Sequence, residues 1–239
     1  MHVPHVFVDP ADCDDRRVRL QGPVAHHVLT VLRCGPGDAV SVADGTGTVR
    51  TARIADLDGA SADCTVEEVD HAPPRRPWVR VVCGLPKRRK LDDVVQRLTE
   101  LGVDEIVPAH TDRSQVRLDG PRAHRATQRW RAVACAAAQQ SRRTRLPTIA
   151  PVTAWHDAFT GAGHGVIFWE DAPTPLRDIP LDVRVDWITV GVGPEGGLTA
   201  DEVEQTSLPP ADLGATILRA ETAGVVAPAL VLQRLGRLG

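Results

Sequence analysis

The residues most suited to chemistry lie in a glycine-rich stretch near the carboxyl end of the chain. Apolar and β-branched residues at 187–192 predict a buried strand, and four glycines, a proline and a glutamate fall within 191–197. Thr199 and Glu202 then form a capping-box pattern, which predicts the start of a helix. Glycines permit positive φ and let main-chain amides approach a ligand closely. Because ligands of open α/β sheets bind beyond the carboxyl ends of the strands, we predict a ligand site in this loop.

Two ligand classes are compatible with the loop. Gly191, Gly193 and Gly196 match the G-x-G-x-x-G pattern of dinucleotide-binding proteins, so a dinucleotide oxidoreductase is one alternative. We expect the 42 residues after Gly197 to be too few for the rest of a doubly wound nucleotide domain. Glu195 would also repel a pyrophosphate, whereas an acidic loop suits a cation. S-adenosylmethionine, which carries a sulfonium, is therefore the favoured cofactor.

A second candidate loop covers residues 213–223. Its apolar beginning predicts a short strand, and Arg219, Glu221 and Thr222 follow at the start of a helix. Glu221 suits the positive end of the helix dipole, and Thr222 is a residue type that caps helices. A capping role alone is the alternative to a role in a site.

Positive charge is concentrated in the middle third of the chain. Residues 84–145 carry 14 Lys and Arg against 7 Asp and Glu, a balance of +7 in a chain whose net charge is −3. Arginine predominates, and its guanidinium fork suits phosphate groups. We predict an RNA-binding track, with solvated helix faces as the alternative for any single residue. The track comprises Lys87, Arg88, Arg89, Lys90, Arg113, Arg117, Arg129, Arg142, Arg143 and Arg145.

Other patterns exclude several classes of protein. Five cysteines are scattered without a C-x-x-C pair, which argues against both a disulfide framework and a zinc site. His26 and His27 are adjacent and would point to different faces of a helix, so no metal is expected. The sequence contains no run of eighteen apolar residues, so no membrane span is predicted. The amino-terminal residues lack the features of a secretory signal, so we expect a cytoplasmic protein.

The elements that must position these residues divide at a proline-rich segment. Residues 1–72 alternate as short strands, with a hairpin turn at 44–47 and one short helix at 23–32, which predicts a small β-barrel domain. Residues 73–77 predict a linker because prolines interrupt both ladders and helices. Residues 78–239 alternate strands and helices, which predicts an α/β domain with a parallel sheet. The strands are expected at 78–83, 105–109, 166–169 and 187–192, and the helices at 91–101, 125–141 and 221–235.

The motifs of the chain, taken in order, resemble one known family. These are His26-His27 with Leu32-Arg33, the segment 96–103 (QRLTELGV), Arg113-Ser114, Arg129-Trp130, Gln140-Ser141 with Arg143, the segment 193–197 (GPEGG) and the segment 213–223 (LGATILRAETA). The sequence resembles the 16S ribosomal RNA uridine-N3 methyltransferases of the SPOUT class along nearly its whole length. It departs from their pattern at His5, Gln139, Leu198, Thr216 and Ala220.

The resemblance implies an amino-terminal RNA-binding barrel of the PUA type and a SPOUT α/β domain with a trefoil knot, paired as a homodimer. The knot loops would hold S-adenosylmethionine through Phe168, Trp169, Glu170, Val190, Gly191, Gly193, Pro194, Gly196, Gly197, Leu213, Gly214, Ile217, Leu218, Thr222 and Ala223. The 16S rRNA of the 30S subunit would contact His5, His26, Arg33, Lys87, Arg88, Arg89, Arg113, Ser114, Arg129, Ser141 and Arg143.

The implied reaction is methyl transfer to N3 of a uridine in the decoding region of 16S rRNA. We expect Arg219 to stabilise negative charge on the uracil or to clamp a phosphate, and Glu195 to orient the substrate or cofactor. A purely structural pairing of Arg219 with Glu195 or Glu221 is the alternative. For the whole protein the alternative is a non-catalytic RNA-binding protein of the same fold.

Overall fold

The computed structural model describes residues 3–87 and 89–238, and the chain divides into two compact units. The first contains the chain up to Pro74 together with Ala138–Leu146, and the second contains Arg75–Ala137 and the chain from Pro147 onward. The sequence predicted one continuous domain over 78–239, whereas the structure groups Ala138–Leu146 with the first unit. The hairpin turn explains this, because Gly47 N–H donates to the carbonyl of Thr144 at 3.1 Å and Leu146 N–H donates to that of Gly45 at 3.1 Å.

The first unit is a five-stranded sheet with a short helix. Its strands are β1 (His5–Phe7), β2 (Arg17–Leu20), β3 (Ala39–Ala43), β4 (Thr48–Asp58) and β5 (Ser61–His71), and helix α1 (Gly22–Ala25) continues as a π-helix (His26–Val31). The order is β1-β3-β4-β5-β2, with β1 parallel to β3 and the other pairs antiparallel. Among the described residues no pairing joins β1 to β2, so the ladder is an open path rather than the closed ring expected of a barrel.

The core of the first unit follows from alternation along the strands. In β2, Val18 and Leu20 are buried while Arg17 and Arg19, which alternate with them, are exposed. Val40 and Val42 of β3 and Val28 of the π-helix complete the same apolar cluster. Period-two alternation therefore places one face of this sheet against the helix.

The second unit is built around a parallel sheet, which confirms the predicted α/β class. Its strands are β6 (Trp78–Gly84), β7 (Glu105–His110), β8 (Thr148–Ile149), β9 (Thr153–Ala154), β10 (Gly165–Phe168), β11 (Trp187–Val192) and β12 (Pro210–Ala211). Their order is β12-β10-β11-β6-β7-β8, with β9 also on β7, and every pair is parallel. Strands β6, β10 and β11 are almost wholly buried, as expected where helices cover both faces.

Helices of the second unit are α2 (Lys90–Leu101), α3 (Gly120–Gln140), α4 (Ala200–Glu204) and α5 (Ala220–Arg234), although α3 continues from Ala138 into the first unit. In α2, Leu91, Val94 and Leu98 are buried on one face, and the helix ends at Gly102, whose φ is +95°. The capping box predicted at Thr199 and Glu202 is present in both directions and begins α4. No helix among the described residues is both long and apolar enough to span a membrane.

Three local predictions were wrong. The strand expected after residue 213 is instead β12 at Pro210–Ala211, and the following residues form a loop in which Ile217 is 90% exposed. Thr222 does not cap α5, because Arg219 occupies the N-cap position and Thr222 lies inside the first turn. Helix α3 begins at Gly120 rather than at residue 125. Pro121 is tolerated in the first turn because backbone N–H groups there have no partner within the helix.

Candidate active site

A pocket of about 460 Å³ opens beyond the carboxyl ends of β10 and β11. Three segments enclose it. Phe168 to Glu170 begin at the last residue of β10, Val192 to Glu195 begin at the last residue of β11, and the loop from Asp212 to Arg219 leads into α5. Parallel strands place their carboxyl ends at one edge of the sheet, which is why loops far apart in sequence meet here. The volume lies within the range typical of small-molecule sites.

Most of the residues predicted for the cofactor line this pocket. Those in its wall are Phe168, Trp169, Glu170, Gly193, Pro194, Gly197, Leu213, Gly214, Ile217, Leu218 and Ala223. Arg219 and Glu195, predicted as catalytic, line it as well. Residues that the cofactor prediction omitted are Lys90, Val192, Asp212, Thr216, Ala220 and Glu221.

Four predicted cofactor residues lie outside the pocket wall. Val190 is fully buried within β11, and Thr222 is exposed in the first turn of α5. Gly191 is a packing position, because a Cβ there would lie 2.6 Å from Cδ1 of Ile167. Gly196 touches another loop, since Arg113 Nη1 donates to its carbonyl at 3.2 Å. The glycine pattern therefore combines ligand-facing positions with positions required for packing.

Two glycines of the loop are needed for close approach. Gly197 has φ +71°, and a Cβ on it would collide with the carboxylate of Glu170. A Cβ on Gly193 would lie 2.9 Å from Cγ of Leu198. Both sites favour glycine, the first for backbone conformation as well as space. Because the loop is tight, its main chain and the Glu170 side chain both lie beside the pocket.

A lysine joins two carboxylates at the pocket wall. Lys90 Nζ lies 3.0 Å from Glu195 Oε1 and 3.1 Å from Glu221 Oε2. The backbone N–H of Lys87 also donates to both Glu195 oxygens at 3.1 and 3.2 Å. The start of α2, the glycine-rich loop and the start of α5 thus meet at one charged group. Lys90 was predicted for the RNA track, and no sequence spacing indicated these partners.

The charged cluster keeps both carboxylates ionised. Burial acts to raise the pKa of Glu195, but hydrogen bonds from its own backbone N–H, from Lys90 and from the Lys87 N–H outweigh it and hold that pKa below its usual value. The pKa of Glu221 is lowered by its own backbone N–H and by Lys90. Glu195 is therefore a weak base at neutral pH and is suited to orienting a cationic or hydrogen-bonding group.

Arg219 is exposed on the pocket wall with its guanidinium available. Glu195 and Glu221 pair with Lys90, and among the described residues the Arg219 side chain has no hydrogen bond or ion pair of its own. Arg219 thus makes no direct pair with either carboxylate, although its charge helps to lower the pKa of Glu221. A free guanidinium beside a pocket is suited to binding an anion or a developing negative charge.

The predicted RNA-binding residues of the first unit differ in whether their side chains are exposed or engaged in contacts within the protein. His26 and Arg33 are exposed. His5 has both ring nitrogens engaged, Nδ1 at 2.9 Å from Ser41 Oγ and Nε2 at 2.9 Å from the Arg143 carbonyl, and burial lowers its pKa. Ser141 and Arg143 are half-buried in the segment that packs with this unit. His5 thus helps to hold that segment, a contact the sequence did not predict.

The remaining predicted RNA-binding residues belong to the second unit, except that Arg88 lies outside the described residues. Lys87, Arg89 and Arg113 are exposed. Ser114 is buried, and its hydroxyl accepts from the Thr111 N–H at 3.1 Å, which places it in the loop interior rather than on the surface. Arg129 pairs with Asp92, its Nε donating to both carboxylate oxygens at 3.1 Å.

The sequence matches two family models, described as an RNA methyltransferase domain over residues 74–232 and an RNA methyltransferase PUA domain over residues 20–67. Ribosomal RNA small subunit methyltransferase E of Mycobacterium bovis is 30% identical over 218 residues, which cover 87% of this chain and 83% of the relative. The protein of the same name from Bacillus subtilis is 29% identical over 221 residues, covering 87% and 86%.

Solved structures that superpose on this chain include proteins of the same name or class. A ribosomal RNA small subunit methyltransferase E from Neisseria gonorrhoeae, bound to S-adenosyl methionine, superposes with a TM-score of 0.86 at 27% identity and 98% coverage of both chains. A probable rRNA-methyltransferase from Porphyromonas gingivalis gives 0.82 at 26% identity, again covering 98% of each. The fold is thus that of an RNA methyltransferase with a PUA domain. Within that class, this chain belongs to the family of ribosomal RNA small subunit methyltransferase E.

Proposed function

We propose that this protein transfers the methyl group of S-adenosylmethionine to N3 of a uridine in the decoding region of 16S rRNA. The observation that carries the proposal is the pocket at the ends of β10 and β11, which combines apolar walls, two ionised carboxylates and an unpaired arginine in a chain of this family. The N. gonorrhoeae relative is bound to S-adenosyl methionine, which supports the same cofactor here.

The residues present fit that cofactor. Phe168, Leu213 and Leu218 offer apolar surface for an adenine ring, and Glu170, Glu195 and Glu221 offer negative charge for its ammonium and sulfonium groups. The bound cofactor supplies an electrophilic methyl group. The pocket would hold the cofactor and the uracil in near-attack geometry, which accounts for much of the rate of a displacement reaction.

Arg219 is assigned to the uracil side of the reaction. Uracil N3 must lose its proton to solvent water, which leaves negative charge on the ring oxygens. The N3–CH3 bond then forms as the S–CH3 bond breaks, and S-adenosylhomocysteine is the leaving group. An exposed guanidinium on the pocket wall would stabilise that charge or clamp an adjacent phosphate. Glu195, whose pKa is lowered by the hydrogen bonds that outweigh its burial, is assigned to orientation rather than to removal of the proton.

The proposal includes a trefoil knot, a homodimer and a cytoplasmic 30S substrate, as the family resemblance implies. Strand β12 lies at one end of the sheet, beyond β10, whereas α5 packs against α2, β11 and β6. The loop from Leu213 to Arg219 must therefore lead back past β10, a path compatible with a threaded chain end. Light scattering of the purified protein tests the dimer, and a mass equal to the monomer would contradict it.

The activity is tested by incubating the purified protein with methyl-labelled S-adenosylmethionine and 30S particles from a strain that lacks the modification. After nuclease digestion, chromatography should place the label in N3-methyluridine. Label in another nucleoside would contradict the assigned position, and absence of label despite cofactor binding would favour the non-catalytic RNA-binding alternative.

A further inference from the structure

A second pocket of the methyltransferase unit is surrounded by arginines. It has a volume of about 320 Å³ and lies between the residues that precede α2 and the first half of α3. Arg122, Arg125 and Arg129 face it from α3 at spacings of three and four residues, which put them on one helix face. Arg89, just before α2, faces it from the other side. Arg122 and Arg125 belonged to none of the sequence-predicted sites.

Three of these guanidiniums have no protein counter-charge. Among the described residues, Arg89, Arg122 and Arg125 are exposed, and their side chains take part in no ion pair or hydrogen bond. Arg129 alone is neutralised, by Asp92, whose Oδ1 also accepts from Trp130 Nε1 at 2.9 Å. Like charges gathered around one concavity repel each other, and a bound anion removes that repulsion.

The floor of this arginine pocket is apolar. Leu85, Leu91 and Trp130 are each no more than 3% exposed, and Val116 and Leu118 also contribute to the wall. A simple inorganic anion would gain nothing from such a floor. A nucleotide would use both features, since its phosphate faces the arginines while its ribose or base covers the apolar surface.

The arginine pocket adjoins the candidate active site. Arg89 lines the former and the next residue, Lys90, lines the latter. A small cavity between the two is bounded by Pro86 and Leu91 on one side and by Gly193 and Glu221 on the other. An RNA strand whose target uridine enters the active site would therefore have a neighbouring nucleotide within reach of these arginines.

We propose that Arg89, Arg122, Arg125 and Arg129 form a nucleotide-binding subsite that grips the RNA strand beside the modified uridine. This inference rests on the proposed function for the identity of its ligand, single-stranded RNA. It assigns Arg122 and Arg125 to substrate binding, with no part in binding the cofactor.

The test compares two doubly substituted full-length proteins with the same change in charge. Arg122→Gln with Arg125→Gln alters the pocket. Arg97→Gln with Arg131→Gln alters exposed arginines of α2 and α3 outside the walls of the three cavities, where Arg131 Nη2 donates to the Ile149 carbonyl at 3.3 Å. Fluorescence anisotropy with a labelled oligoribonucleotide of the decoding-region sequence measures affinity over a range of salt concentrations. Calorimetry measures S-adenosylmethionine binding to each protein.

We expect the pocket variant to bind RNA roughly tenfold or more weakly at low salt, with a logarithmic salt slope shallower by about 1. The control variant should bind RNA like the wild type, and both should bind cofactor normally. Equal RNA affinities for the two variants, whether reduced or not, would overturn the subsite. If the wild type binds RNA but transfers no methyl group, the proposed function is wrong. The RNA affinities of the two variants still test the subsite in that case.

A second measurement uses the wild-type protein, so it does not depend on the folding of a variant. Phenylglyoxal modifies accessible arginines, and peptide mass spectrometry reports the modification of each one. RNA should protect Arg122 and Arg125 and leave Arg97 and Arg131 reactive. Unchanged reactivity of the pocket pair at saturating RNA would overturn the proposal.

Discussion

Lys90 is the residue on which the charge arrangement of the active site depends. Its ammonium lies between Glu195 of the glycine-rich loop and Glu221 of the first turn of α5, at 3.0 and 3.1 Å. The hydrogen bonds that its ammonium donates to both carboxylates raise its own pKa above the usual value. One flexible side chain thus joins the starts of two helices and the glycine-rich loop, which are distant in sequence, and its removal would leave two carboxylates facing each other.

Replacing Lys90 by Met should change the acid stability of the protein. The pKa values of Glu195 and Glu221 lie below 4.5 in the folded state, so their stabilising contribution is present above that pH and is lost as pH falls through the lowered values. The wild-type free energy of unfolding should therefore decrease as pH falls below about 4.5. In K90M this part of the decrease should be smaller, as measured by urea unfolding at a series of pH values.

Lys87 offers a matched control for this experiment. K87M removes the same charge three residues away but keeps the backbone N–H that donates to Glu195. Its acid dependence should follow the wild type. Identical pH profiles for K90M, K87M and the wild type would mean that Lys90 does not shift these carboxylates.

Arg219→Gln should impair methyl transfer without impairing the fold. The side chain is exposed and has no partner among the described residues, so its loss leaves no buried group unpaired. Loss of one preorganised stabiliser of developing charge commonly lowers kcat by roughly 100- to 1,000-fold. Single-turnover methylation of 30S particles measures this effect, and calorimetry should give an unchanged affinity for S-adenosylmethionine.

The control for Arg219 is Arg177→Gln, which removes another exposed arginine of the same unit, beside Asp178 and outside the pocket wall. R177Q should methylate at the wild-type rate. A rate for R219Q equal to that of R177Q would remove Arg219 from the mechanism.

At the scale of elements, the sequence predicted what depends on local periodicity and capping. Helix α2 and its end at Gly102, the capped start of α4 and the parallel strand β11 all match their patterns. The strand predicted after residue 213 failed because apolar residues there serve the pocket wall rather than a sheet. Gly214 has φ +105° and Ile217 is exposed, which a regular strand does not allow. Hydrophobicity alone does not distinguish a buried strand from an apolar loop that lines a ligand site.

The glycines of strand β11 and its loop show a second feature that the sequence could not predict, namely which glycines face a ligand. Nothing in the order of Gly191, Gly193, Gly196 and Gly197 tells which of them faces a ligand. Alternation along β11 directs Gly191 towards Ile167 and Phe159, whereas Gly197 lies beside Glu170 in the pocket wall. Residues of other strands and loops determine whether a glycine contacts a ligand or packs against the protein, and these residues are distant in sequence.

Substitution by alanine should separate these two roles. Gly191→Ala introduces a methyl group 2.6 Å from Ile167 Cδ1 and 2.9 Å from Phe159 Cζ, and such overpacking costs about 1–3 kcal/mol of stability. Gly197→Ala strains a backbone with φ +71°, at a similar cost of about 1–3 kcal/mol, and also displaces Glu170. Urea unfolding measures both costs.

Cofactor affinity distinguishes the two variants. Folded G191A should bind S-adenosylmethionine as the wild type does, because Gly191 lies outside the pocket wall, whereas G197A should bind it more weakly. Equal losses of affinity in calorimetry would show that Gly191 acts on the pocket after all.

For the whole molecule, the proline-rich boundary near residues 73–77 could be predicted from composition, but the grouping of Ala138–Leu146 could not. That grouping depends on the pairing of Thr46 with Arg145, a contact between segments about a hundred residues apart. The charge distribution, in contrast, is a property of the sequence itself. Residues 84–145 carry +7 although the chain carries −3, so attraction to RNA must come from one region rather than from net charge.

This separation of charge predicts different salt responses for the two ligands of the wild-type protein. Each phosphate that an arginine or lysine neutralises on single-stranded RNA contributes about −0.7 to the slope of log affinity against log salt concentration. RNA affinity should therefore fall steeply with salt. The affinity for S-adenosylmethionine should fall much less with salt, because the cofactor carries few charges and Lys90 partly neutralises two of the carboxylates that would face them. Anisotropy and calorimetry in the same buffers measure the two slopes. A flat RNA response would show that the basic region is a solvated surface, and binding would then have to depend on contacts that carry no charge.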